Sequence, residues 1–208
     1  MTAVSSPSRP IPGTPPPGFN AGQRDLYVVI GTRPDPVIEP NGSIALDRAQ
    51  EARLSRSGES LTFPIGQENA KNIISYDVSS GTSRPALQSV PGAIEGGCPL
   101  YDDVTDVLLF ETDVGIDNDD TNSARDLYIA FNPFGAAPSV QRVGAGLLAD
   151  TGASNFLHSC LGATFAPVDD GFDVVIVSTD RLTAEDTDSS ADVYRATVQP
   201  ADRLVGCP

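Results

Sequence analysis

The sequence predicts an all-β domain built of repeated sheet units, on three observations. Two stretches repeat one another, DVLLFETDVGIDNDDTNSARDLYIAF (Asp106 to Phe131) and DVVIVSTDRLTAEDTDSSADVYRATV (Asp173 to Val198). Each has an apolar run, a Thr-Asp pair, an acidic loop and a second apolar run opening on Asp-Leu-Tyr or Asp-Val-Tyr. Self-similarity at this spacing marks one supersecondary unit stacked on copies of itself. Short β-branched and aromatic runs bounded by Gly, Pro, Asn, Asp or Ser recur along the chain, and helical periodicity is nearly absent.

In chain order, residues 1–19 are rich in Pro, Ser and Gly, a composition that gives an extended linker or disordered tail; a Pro-binding domain could dock there. The repeat domain is placed at residues 20–208. Strands are predicted at Asp25 to Ile30, Ser60 to Ile65, Asn72 to Val78, Asp106 to Glu111, Asp126 to Phe131, Asp173 to Ser178 and Asp192 to Val198. IALDRAQEARL, Ile44 to Leu54, has good helix formers and is read as one short helix or an outer connection. Arg53 to Gly81 forms a third copy of the unit, and Asn20 to Pro34 matches only its second half, so the chain is expected to start inside a unit. Equivalent second strands are spaced by 47, 54 and 66 residues.

Composition narrows the function. The 208 residues carry 39% hydrophobic content, sufficient for a core, and a formal charge of -15. That charge, with Lys71 the only lysine, argues against a nucleic-acid groove, which needs clustered cations. The acidity is mostly Asp, 21 against 7 Glu, as a GC-rich genome or adaptation to salt would produce. No apolar run approaches the roughly 20 residues of a membrane span, and no basic-then-apolar leader opens the sequence. Cys98, Cys160 and Cys207 have no metal-ligand spacing; an oxidising compartment would allow one disulfide, and buried thiols are the alternative. His158 and Cys160 lack an orienting group or oxyanion site nearby, so no catalytic dyad, and no catalytic residue elsewhere, is assigned.

The units share the turns Ser55-Arg56-Ser57-Gly58 and Asp169-Asp170-Gly171, the loops Asp120-Thr121-Asn122 and Asp186-Thr187-Asp188, and strands opening on Asp-Leu-Tyr or Asp-Val-Tyr. In these motifs they resemble the WD40-like, TolB-type β-propeller repeats. The resemblance spans about residues 20 to 205. Ser123 and Ser189 stand where the family's loop has Gly, and the absence of Trp removes a sialidase-type Asp-box. The resemblance implies four-stranded blades, about three whole and one half. Closed propellers have 4 to 8 blades, so the chain is expected to be an open fragment, a small closed ring, or a piece that pairs with another chain. Open blade edges would promote self-association. A periplasmic, cell-envelope or extracellular setting is implied by the family alone.

The acidic loops are the sharpest chemical candidates. Asp117, Asp119, Asp120, Asn122 and Asp126, and again Asp186, Asp188 and Asp192, are oxygen donors at the close spacing that Ca²⁺ takes. The glycine and bidentate Glu of an EF-hand are missing. Turn chemistry, in which Asp and Asn accept bonds from nearby amides, explains the same residue types. A carboxylate pair across a glycosidic bond would sit roughly 5 to 10 Å apart, but catalytic acids are ordinarily unique and pocketed, whereas these are duplicated in polar loops. Tyr27, Tyr128 and Tyr194 recur at one strand position, with Tyr76 less regular, and are expected in the core and not on a sugar-stacking platform. The expected function is a non-enzymatic binding or scaffold module presenting variable loops to a protein or glycan partner. The alternatives are a glycan-active hydrolase or lyase with its site at a central channel, and a Ca²⁺-stabilised extracellular repeat domain.

Overall fold

Strand periodicity decides the layering. Residues alternate between the two faces of a strand, so a run such as VLLF or LYIA, apolar at every position, needs an apolar layer on both sides. The computed structural model describes residues 26–30, 33–37, 52–67, 70–88, 90, 99–112, 114–116, 126–143, 163–178, 182–188 and 190–200. Among the described residues there are thirteen strands and no helix.

The strands form antiparallel sheets that follow one another in chain order. The first pairs β1 (Tyr27–Ile30) with β2 (Arg33–Pro36). The second is a meander of β3 (Arg53–Leu54), β4 (Ser60–Gln67), β5 (Ala70–Asp77) and β6 (Thr82–Pro85). The third repeats it with β7 (Leu100–Asp102), β8 (Val107–Thr112), β9 (Asp126–Phe131) and β10 (Ser139–Arg142). The fourth has β11 (Ala163–Val168), β12 (Gly171–Ser178) and β13 (Asp192–Val198). Its register matches that of the third: Thr112 opposes Asp126 as Ser178 opposes Asp192. The duplicated sequence therefore folds into equivalent hairpins.

Three cores join the sheets in succession. Leu26 and Val37 of the first meet Leu61, Phe63, Ile74 and Tyr76 of the second. Ile73, Ala86 and Leu87 meet Tyr101, Leu108, Phe110, Tyr128 and Ala130 of the third. On its other face, Val107, Leu109, Leu127, Ile129 and Val143 meet Phe172, Val174, Ile176, Tyr194 and Val198 of the fourth. Tyr76, Tyr128 and Tyr194 are all buried, and Tyr128 stacks on Phe110 with centroids 5.9 Å apart. Among the described residues the fourth sheet is packed on one face only. Its outward face carries Val175, Val177 and the exposed Val193 beside a polar group in which Arg195 and Thr197 donate to Asp173.

Two glycines answer specific geometry. Gly58 closes the β3–β4 turn at φ +80°, in the left-handed region that L side chains resist. Gly171 follows the Asp169-Asp170 turn, where a Cβ would fall 2.3 Å from the Val198 carbonyl oxygen. The short helix or outer connection expected over Ile44 to Leu54 is corrected at its end: Arg53–Leu54 is a strand because it pairs with Leu61 and Thr62 of β4. Residues 44–51, the Pro-rich tail, His158 and the three cysteines lie outside the described residues.

Truncating Phe110 to Ala empties a position shared by two sheets and is expected to cost about 3–5 kcal/mol. Urea unfolding should show it as a lower midpoint at unchanged slope. Val104→Ala, at a site 69% exposed, should stay within about 0.5 kcal/mol of the parent.

Candidate functional site

The two repeated hairpins bring acids to the loop end of the third strand of each unit. In the β12–β13 connection the carboxylate oxygens of Asp186, Asp188 and Asp192 lie within 4.8 Å of one another. Ca²⁺ holds its oxygens at about 2.3–2.6 Å, so two oxygens on one ion are at most about 5 Å apart. The three acids thus satisfy that spacing, and a further carboxylate, Asp126, takes the Asp192 position in the third sheet. Asp117, Asp119, Asp120 and Asn122 lie outside the described residues.

The same oxygens hold the loop together. Asp186 accepts from the Asp188 amide at 3.2 Å and from the Tyr194 hydroxyl, and Asp188 accepts from the Ser190 amide at 2.7 Å. The Ser190 amide, then its hydroxyl, holds the Asp188 carboxyl below the usual range. The bond to Asp186 pushes the Tyr194 phenol up, because ionising it would place two anions together. This is Asx-turn chemistry tied to a buried tyrosine: β13 supplies the ring to the core and its hydroxyl to the loop.

A second acidic site was not legible in the sequence. Asp103, in the β7–β8 turn, accepts at Oδ2 from the Ser55 and Ser57 hydroxyls, the former at 2.7 Å, and at Oδ1 from the Ser57 amide at 3.2 Å. Arg56 lies 3.7 Å from the buried carboxylate of Asp102. The Ser55-Arg56-Ser57-Gly58 turn of the second sheet is thereby clamped to the third. Thr62 strengthens the same seam, its hydroxyl donating to the Pro99 carbonyl at 3.1 Å. Partial burial works to raise the Asp103 pKa, but the bonds from Ser55 and Ser57 outweigh it and the carboxyl is held low. The available signal was positional: Asp103 and Asp169-Asp170 occupy the first hairpin turn of successive units.

Asp77 completes the set. One oxygen accepts from the Ser79 and Ser80 amides and the Ser79 hydroxyl, at 2.7–2.9 Å. The Ser80 amide is the largest cause, followed by the Ser79 hydroxyl, of a pKa lowered to about 2. For Asp77, Asp103, Asp186 and Asp188 the common task is therefore closing turns, holding loops and joining sheets. No protein-family model matches the chain, and no curated protein matches its sequence.

Asp103→Ala leaves the largely buried Ser55 hydroxyl without its acceptor and should cost about 1–3 kcal/mol; Asp103→Asn, which keeps an acceptor, should cost less. Chemical denaturation checks both. The depressed Asp77 pKa stabilises the fold above the unfolded value of about 3.9, and that contribution is lost as pH falls toward 2. The stability gap between the parent and Asp77→Asn should accordingly be full at pH 5 and mostly lost at pH 2, as read from urea midpoints.

Proposed function

We propose that the chain is a non-enzymatic binding or scaffold module of the TolB-like propeller type, presenting variable loops to a protein or glycan partner. One observation carries this reading: meandering sheets stack face to face in chain order, with an apolar core between each successive pair. β1 and β2 correspond to the third and fourth strands of a blade, the second and third sheets to whole blades, and β11–β13 to the first three strands of another. A stack whose inner sheets are committed to packing on both sides leaves recognition to its connections. The stretches between sheets, 37–52, 86–99 and 143–162, differ in length, while the hairpin acids are engaged in turns.

Replacing residues 145–160 by a Gly-Ser linker should abolish retention of the partner in pull-down and glycan-array assays, whereas Asp120→Ala and Asp186→Ala should preserve it. Retention that instead follows the two aspartates, or turnover of an arrayed glycan, would defeat the reading.

A second reading, a Ca²⁺-stabilised repeat domain, is favoured by the approach of Asp186, Asp188 and Asp192 to within 4.8 Å. It requires the melting temperature to rise between chelator and millimolar Ca²⁺, and the rise to vanish in Asp192→Asn. Equal melting in both solutions ends it.

A further inference from the structure

The outer edge of β13 is built differently from its three counterparts. In each earlier sheet the corresponding strand has an antiparallel neighbour on that side: β2 beside β1, β6 beside β5 and β10 beside β9. Each neighbour ends on an apolar residue whose amide donates to the strand it covers. Val37 donates to the Leu26 carbonyl at 3.0 Å, Ala86 to Ile73 at 2.8 Å and Val143 to Leu127 at 2.8 Å. Each of these pairs is buried within a single core. The shared register of Thr112 with Asp126 and Ser178 with Asp192 puts Val193 at the Leu127 position. Leu127 is 3% exposed and Val193 is 71% exposed. Among the described residues, β13 has no strand on its outer side.

We propose that this edge is a docking site for an extended, basic peptide of a partner protein, which adds to β13 as an antiparallel fourth strand and places an apolar side chain against Val193. The backbone would supply affinity and one apolar contact would fix register, as in other strand additions. The three resident fourth strands show the accepted chemistry: short, polar and carrying Arg33, Arg84 or Arg142. Charge agrees. The carboxylates of Asp186, Asp188 and Asp192 gather at the end of β13 beside Val193, so in antiparallel register a Lys or Arg immediately after the peptide's apolar residue comes opposite Asp192. The site depends on strand order and is separate from the connections assigned to loop binding above.

The probe is a fluorescent peptide, APSVQRVK, which carries residues 137–143 and adds a terminal lysine. Titrated into the full chain at low salt, it should give saturable polarisation. Val193→Arg should weaken binding by about tenfold or more, as loss of an anchor contact does. The peptide APSVQEVE should bind more weakly than the probe. By the alternation set by the Leu127 and Val143 bond, the Val193, Arg195 and Thr197 amides face the open edge. They should exchange rapidly in the free chain and slow when the probe binds. Absence of binding together with amides already protected in the free chain would overturn the proposal in favour of the chain's own residues 201–208 filling the edge. Concentration-dependent dimerisation that protects the same amides and is lost in Val193→Arg would overturn it in favour of a second copy. Binding of unchanged strength in Val193→Arg would also overturn it.

Discussion

The structure depends on one constraint: β8 and β9 are apolar on both faces. Val107 and Leu109 face one way and Leu108 and Phe110 the other, and on β9 Leu127 and Ile129 oppose Tyr128 and Ala130. A strand pair of this kind is stable only between two other layers, because either face left in water would expose a full set of large side chains. Sheets must then be added on both sides. The second and fourth sheets are those layers, and the first covers the second in turn. The order of the stack follows the order of the chain, which keeps each connection between spatial neighbours.

Polar chemistry serves this stack at its seams. The Ser55 and Ser57 clamp on Asp103 joins turns of two sheets, the Thr62 bond to Pro99 joins a strand to the connection before the next sheet, and the Tyr194 bond to Asp186 holds a loop to its own strand. An acid-rich surface with few cations has little scope for ion pairs, and hydroxyls and backbone amides take over as donors. Ion pairs stand at Arg56 and Asp102 in the seam between the second and third sheets, and on the outward face of the fourth sheet, where Arg195 and Thr197 meet Asp173 at a layer with no apolar cover among the described residues.

All seven strands expected from apolar runs overlap strands of the structure: β1, β4, β5, β8, β9, β12 and β13. Six strands went unread: β2, β3, β6, β7, β10 and β11. The reason is visible in segments such as RPDP and TSRP. A strand at the side of a sheet pairs along one edge only, so it is permitted Pro, Arg and Ser and is often too short or too mixed to show an apolar run. Arg53–Leu54 carries no strand signal for a related reason: two residues are too few to show a period. The site was legible in the same uneven way. Asp186, Asp188 and Asp192 are close in sequence and meet in space, whereas Ser55 and Asp103 are 48 residues apart and their meeting is decided by sheet packing.

The sharing of each core between two sheets makes stability a nearest-neighbour property. An inner sheet that opens must uncover faces on both sides at once, while an end sheet uncovers only one. Fraying therefore starts at the ends and advances inward, and the second and third sheets, each between two cores, are the last to lose their protection. The chain behaves as a stack that unzips.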